Sequence, residues 1–132
     1  MRMRAGETAR HISQWVMIAG ISLIAIVADA QVQTRPQTIE EIKALLDFVE
    51  HSECQFVRNG SEYPGPRARA HLEKKLNYLE ARNRVNSAED FIDLAATQSS
   101  ISGRAYEVRC AERTEPAGTW LKRELDRQRQ LH

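Results

Sequence analysis

What the chain lacks narrows its chemistry. It has two cysteines, Cys54 and Cys110, and no C-x-x-C spacing, so the redox dithiol motif is absent. There is no glycine-rich phosphate loop, no G-x-S-x-G elbow and no H-x-x-x-H pair. The phosphate-cradling, nucleophile-elbow and helical metal templates are therefore missing. No carboxylate pair stands out as a glycosidase dyad, and Glu73, Glu80 and Glu89 read as ordinary helix-surface acids. A surplus of one charge is missing too. The chain has 19 Lys+Arg against 18 Asp+Glu. A dedicated nucleic-acid binder would carry a basic excess. No catalytic residue, metal site or cofactor is expected.

The first 30 residues read as a cleavable signal peptide. Arg2, Arg4 and Arg10 precede an apolar run from Trp15 to Ala28, and Ala28-Asp29-Ala30 fits an A-x-A cleavage site. The alternative is a retained anchor, but a membrane span needs about 18–20 apolar residues and this run stops short at Asp29. No twin arginine precedes the run, which favours general export. Cleavage after Ala30 makes Gln31 the new N-terminus and the protein periplasmic, with no stable membrane anchor. It removes Arg2, Arg4, Arg10, Glu7 and Asp29, so the mature chain is neutral overall. A length of that order suits a single domain.

Two segments share one antiparallel register. With Cys54 opposite Cys110, Phe56 falls opposite Val108 and Arg58 opposite Tyr106. The cysteines and the apolar positions then agree with a strand period of two. A two-stranded ribbon pinned by a disulfide is expected, in an exported chain where such a bond persists. The bond closes a long loop, for which the chain-entropy model gives about 4 kcal/mol.

Helices cover this ribbon. Residues 31–37 form a polar, flexible lead. Thr38 and Glu41 have capping-box spacing, and Ile39, Ile42, Leu45, Leu46 and Val49 follow at helical intervals to about residue 51. Residues 59–66 read as a loop, with Asn59-Gly60 as a left-handed turn. Pro66 suits the first turn of a second helix, with Ala68, Leu72, Leu76 and Leu79 on one face as far as Asn83. Ser87 and Asp90 open a short third helix carrying Ala88, Phe91, Ile92 and Ala95. A serine loop precedes the second strand, and residues 111–115 are turn-like. Pro116 opens a last helix with Trp120, Leu121 and Leu125 inward. Residues 127–132 read as a polar, fraying tail. No internal repeat is apparent. The expected fold class is α+β: one domain, residues 38–126, of about four helices on a two-stranded antiparallel ribbon.

Several polar side chains invite chemistry. His71, Lys75 and Tyr78 share one face of the second helix, as a cleft wall or as a wet flank over the core edge. Ser99, Ser100 and Ser102 with Gly103 suit turn and cap roles, or a loop that binds an anion or sugar. Arg58 either stacks on Tyr106 or clamps a carboxylate.

These words occur in a fixed order: Ser52-x-Cys54-x-Phe56-x-Arg58-Asn59-Gly60, His71-Leu72-x-x-Lys75, Ser87-Ala88-x-x-Phe91-Ile92, Ser99-Ser100-x-Ser102-Gly103-x-x-Tyr106-x-Val108-x-Cys110, and Trp120-Leu121. The chain thereby resembles the YfeK-like family of small, uncharacterised, exported bacterial proteins. The resemblance implies a periplasmic address and a bridge between the cysteines, and it imports no activity. It also draws together Arg58, Asn59, His71, Lys75, Ser99, Ser100, Ser102 and Tyr106, polar residues that core packing does not need. They are expected to meet in a groove for an anionic or carbohydrate-bearing ligand, such as an envelope protein terminus or a wall fragment. A hydrogen-bond network that fixes the loops is the competing reading. The function expected is a non-catalytic binding module of the cell envelope. A small envelope hydrolase with His71 as base and a purely structural accessory are the alternatives.

Overall fold

The computed structural model describes residues 35–132. The expected signal peptide, its expected cleavage site and the start of the expected flexible lead lie outside the described residues. Helix α1 runs Arg35–His51, then come strands β1 Gln55–Arg58 and β2 Ser61–Pro64 and helix α2 Gly65–Glu80. Helix α3, Ala88–Phe91, passes directly into a π-helical turn, Ile92–Ala96. Strands β3 Glu107–Cys110 and β4 Arg113–Pro116 precede helix α4, Ala117–Gln130.

The sheet has four strands in the order β2-β1-β3-β4, not the two expected. The central ladder is the one read from the sequence: Phe56 pairs with Val108, Gln55 with Arg109 and Val57 with Glu107. Each central strand also folds back on itself through a two-residue loop. Arg58 pairs with Ser61 around Asn59-Gly60, and Cys110 with Arg113 around Ala111-Glu112. Asn59 and Gly60 both take positive φ, 49° and 81°, as a primed hairpin turn requires. The outer strands, Ser61–Pro64 and Arg113–Pro116, are mostly exposed. Having no apolar alternation, they read as loops.

The sequence displays no internal repeat, yet the backbone carries one. A hairpin whose second strand ends in proline, followed at once by a helix, occurs twice, as β1-β2-α2 and as β3-β4-α4. Each strand boundary and the helix start of the second unit lie the same number of residues beyond their counterparts in the first, and only the helix ends differ. Phe56 and Val108 are counterparts and face each other, and the pairs Gln55–Arg109 and Val57–Glu107 exchange under the same operation. The sheet is thus pseudo-twofold about the Phe56–Val108 pair. The side chains have diverged so far that only the backbone displays it.

The helices α2 and α4 pack on this sheet, and α1 lies against α2, α3 and α4. The core is one cluster centred on Leu45, Val49, Phe91, Ile92, Val108, Leu121 and Leu125. Phe48 of α1 stacks on Trp120 with ring centroids 4.4 Å apart, and Phe56 meets the same indole edge-on at 5.5 Å. Gly65 is where α1 and α2 touch. A Cβ there would lie 2.5 Å from the Glu50 carbonyl oxygen and 2.6 Å from that of Val49. Cys54 and Cys110 form a disulfide with Cα atoms 4.5 Å apart, closing a separation of 56 residues.

Three helix boundaries differ from the sequence reading. Helix α1 begins at Arg35, inside the stretch read as flexible lead, so Thr38 is interior and buried rather than a cap. Its hydroxyl donates to the Asn86 carbonyl at 3.4 Å, and Ile39 turns outward, 53 % exposed. Helix α2 stops at Glu80, a few residues early. Helix α4 continues through Gln130, so most of the expected tail is helical. Arg129 there pairs with Glu41, at 2.9 Å, and with Glu89, which docks the end of α4 on α1 and α3. The third helix follows expectation at its start: the Ser87 hydroxyl accepts from the Asp90 amide.

Candidate functional site

The register that pairs Phe56 with Val108 carries Arg58 and Tyr106 to the same face of the sheet, at the end away from the disulfide. Tyr106 is fixed through its own backbone. Its amide donates to the Thr97 carbonyl and its carbonyl accepts from the Ala117 amide, both at 2.9 Å. The π-helical turn brings Thr97 into reach, and the Thr97 hydroxyl donates to the Ile92 carbonyl at 2.8 Å. Opposite, α2 buries Ala68, Leu72 and Leu79, which turns His71 and Lys75 along the flank toward Tyr106.

These four side chains form a hydrogen-bonded chain. The Arg58 guanidinium Nη1 lies 2.9 Å from His71 Nδ1. His71 Nε2 lies 3.0 Å from the Tyr106 hydroxyl, and Lys75 Nζ donates to the same hydroxyl at 3.3 Å. Arginine only donates, so Nδ1 is the accepting nitrogen and the proton of the neutral ring sits on Nε2. The Tyr106 oxygen then accepts from both His71 and Lys75, and its own proton remains to be donated into the groove. Lys75 also donates to the Gln98 carbonyl at 2.9 Å, and its ammonium sits 5.0 Å from the Tyr106 ring centroid. Arg58 does not stack on Tyr106. Its guanidinium carbon lies 5.9 Å from the Tyr63 ring.

Electrostatics set the protonation of the chain. Burial, then the charges of Arg58, Lys75 and Lys74, lower the His71 pKa and favour the neutral ring. Burial and Arg58 lower the Lys75 pKa. Burial raises the Tyr106 pKa, with Arg58 opposing it. Among the described residues no carboxylate lines this region. A cavity of about 290 Å³ lies between α2 and the sheet, with Phe56, Leu72, Ala96 and Leu121 inside and Arg58, Arg67 and Lys74 among its lining. A more open hollow of about 600 Å³ adjoins it, lined by Arg58, His71, Lys74, Lys75, Arg84 and Ser100. Among the described residues none of Arg58, Arg67, Lys74, Lys75 and Arg84 is in an ion pair, whereas Arg69, on the α1 side of α2, pairs with Asp47, Glu50 and Glu73.

The remaining expected site residues behave differently. Asn59 Nδ2 donates to the Ser99 hydroxyl at 3.2 Å, and the Ser102 hydroxyl donates to Asn59 Oδ1 at 2.6 Å. The buried Ser99 hydroxyl also accepts from the amides of Ile101 and Ser102, each at 3.3 Å. These three residues form a lock that ties the first hairpin turn to the serine loop. Ser100 is exposed and reaches the outer hollow. Seven of the eight residues thus divide into a lock and a hydrogen-bonded wall with two cations, and Ser100 belongs to neither. The Ser99 and Ser102 hydroxyls are engaged with Asn59 and loop amides, while both His71 nitrogens face Arg58 and Tyr106. Sequence reasoning missed Tyr63, Arg67, Lys74 and Arg84. The spacing of Arg67, His71 and Lys74 along α2 was the available signal. Among the described residues no group of three or more His, Cys, Asp or Glu is placed to hold a metal ion, and no helix is long and apolar enough to cross a membrane.

Residues 36–129 match the model of the Family of unknown function (DUF5329). The chain is also similar to the "Uncharacterized protein YfeK" of Salmonella typhimurium, 41% identical over 66 residues, which cover 49% of this chain and 53% of that protein. The chain thus spans about half the length of the curated relative it matches. No solved structure matches it. With the family model covering α1 through α4, the chain belongs to this family of unknown function, DUF5329.

Proposed function

We propose that the protein is a non-catalytic binding module of the bacterial periplasm that holds an anionic ligand in the groove between α2 and the Arg58–Tyr106 end of the sheet. One observation carries this reading. Arg58, Arg67, Lys74, Lys75 and Arg84 line adjoining hollows that, among the described residues, no carboxylate lines, in a chain with 19 basic and 18 acidic residues. Uncompensated like charges around a partly desolvated His71 destabilise the empty protein, and an anion reverses that penalty. The Tyr106 hydroxyl supplies a neutral donor beside the cations. The signal-like segment and the disulfide support the address, since such bonds persist in oxidising compartments. Chain recovered from the periplasm is expected to have the mass of residues 31–132. A product retaining residues 1–30 would contradict export by cleavage.

A titration with inorganic phosphate and with acetate at constant ionic strength tests the binding reading. Amide and side-chain NMR signals of Arg58, Lys75 and Tyr106 should move saturably. The Arg58→Ala/Lys75→Ala double variant should remain folded and lose the response. Shifts spread evenly over all surface lysines and arginines would sink it. A hydrolase using His71 as base is the weaker reading. It has a neutral imidazole in its favour, but both ring nitrogens are already engaged.

A further inference from the structure

The cationic wall accounts for only part of the groove. Beneath it lies the cavity of about 290 Å³, whose inner surface is supplied by Phe56, Leu72, Ala96 and Leu121. A bare inorganic anion or a polar sugar acid would leave that apolar surface in contact with water. Arg67 and Lys74 line the cavity, and the Arg67 guanidinium carbon stands 5.4 Å from the Tyr63 ring. Arg58 is anchored through one terminal nitrogen to His71. Its other N–H groups donate to no residue among those described, so a planar fork faces the space beside the apolar surface. A carboxylate matches such a fork better than a spherical ion does. The volume lies at the small end for ligand sites, which suits a short chain and not the paired tails of a phospholipid.

We infer that, granted the anion-binding reading above, the groove takes a small amphipathic carboxylate: the head meets Arg58, Arg67 and Lys74, and a short acyl chain or body of like size covers Phe56, Leu72, Ala96 and Leu121. Head and body are recognised together, so neither alone binds well. Both contact surfaces come from elements held by the core, which pre-organises the site.

Calorimetric titration of the mature protein with octanoate, acetate and 1-octanol separates the two parts. Octanoate is expected to bind at least about tenfold more tightly than either acetate or octanol. Ala68→Leu, which fills the cavity from α2, should weaken octanoate by a similar factor and leave acetate unchanged. Should that variant fail to fold, Ala70→Phe at an exposed position on the cavity wall makes the same test. Acetate binding as tightly as octanoate would overturn the role of the apolar body and leave the anion reading standing. Octanol binding as tightly as octanoate would overturn the role of the head. No binding of octanoate, acetate or phosphate would remove both readings.

Discussion

The two ends of the β1–β3 ladder occupy equivalent positions in a pseudo-twofold sheet, yet they hold opposite kinds of chemistry. At one end Cys54 faces Cys110 and a covalent bond closes the strands. At the other, Arg58 and Tyr106 take the corresponding places, and cations and hydrogen bonds replace it. The same contrast separates the helices. On α4 the counterpart of His71 is Arg123, which pairs with Glu115. Lys122 pairs with Asp93 at 2.8 Å, and Arg127 with Glu124 at 2.7 Å. On the groove side of α2 the cations have no such partners. Like backbones therefore do not give like surfaces. Carboxylates beside α4 close off its charges, and among the described residues none lines the groove side of α2, which leaves charges available to a ligand.

Breaking the sealed end should have the largest effect. A Cys54→Ser/Cys110→Ser variant is expected to lose about 4 kcal/mol of stability, following the entropy of the loop it opens. Denaturant melts of the wild type with and without reductant should reproduce the loss. Equal midpoints would mean that the bond contributes nothing.

A smaller change compares the first residues of α2 and α4. Gly65→Ala sets a Cβ 2.5 Å from the Glu50 carbonyl oxygen, so α1 and α2 must separate. A cost of roughly 1–3 kcal/mol is expected, as for other overpacked sites. The counterpart change, Ala117→Gly, removes one buried methyl at a helix start and overpacks nothing, so it should cost about 1 kcal/mol. Matching losses would show that the close approach at Gly65 relaxes freely.

The smallest effect sharpens the open end. His71 has a lowered pKa when folded, from the ordinary 6.5, so the unfolded chain takes up its proton first on acidification. The unfolded state then binds more protons, and stability falls as pH drops below about 6.5 toward the folded pKa. The carboxylates with lowered pKa, Asp47, Glu89, Glu115 and Glu124, act only further down, below their ordinary 3.8 to 4.5. A His71→Gln variant should therefore lose the slope between pH 6.5 and 5 in melts followed by circular dichroism. An unchanged slope would place its source elsewhere.

Much of the frame was legible because it rests on short apolar patterns. Phe56 and Val108 carried the register, and Ser87 with Asp90 marked a helix start. The outer strands were hidden because Ser61–Pro64 and Arg113–Pro116 are held by hairpin geometry and are mostly exposed. Thr38 misled because a spacing that suits a cap also suits an interior position facing Asn86. Of the expected site residues, Arg58, His71, Lys75 and Tyr106 lie in one hydrogen-bonded chain. The separate role of Asn59, Ser99 and Ser102 was not visible, since sequence cannot say which polar groups satisfy one another. Arg129 was read as a loose end because its acceptors, Glu41 and Glu89, are remote in sequence.

Ala68 and Trp120 are counterparts on α2 and α4. The indole stacks on Phe48, meets Phe56 edge-on and fills its half of the interior, whereas the methyl group leaves the hollow open. A duplicated scaffold would ordinarily present two pockets. Here one bulky ring has removed the second vacancy, so the expected stoichiometry is a single guest per chain.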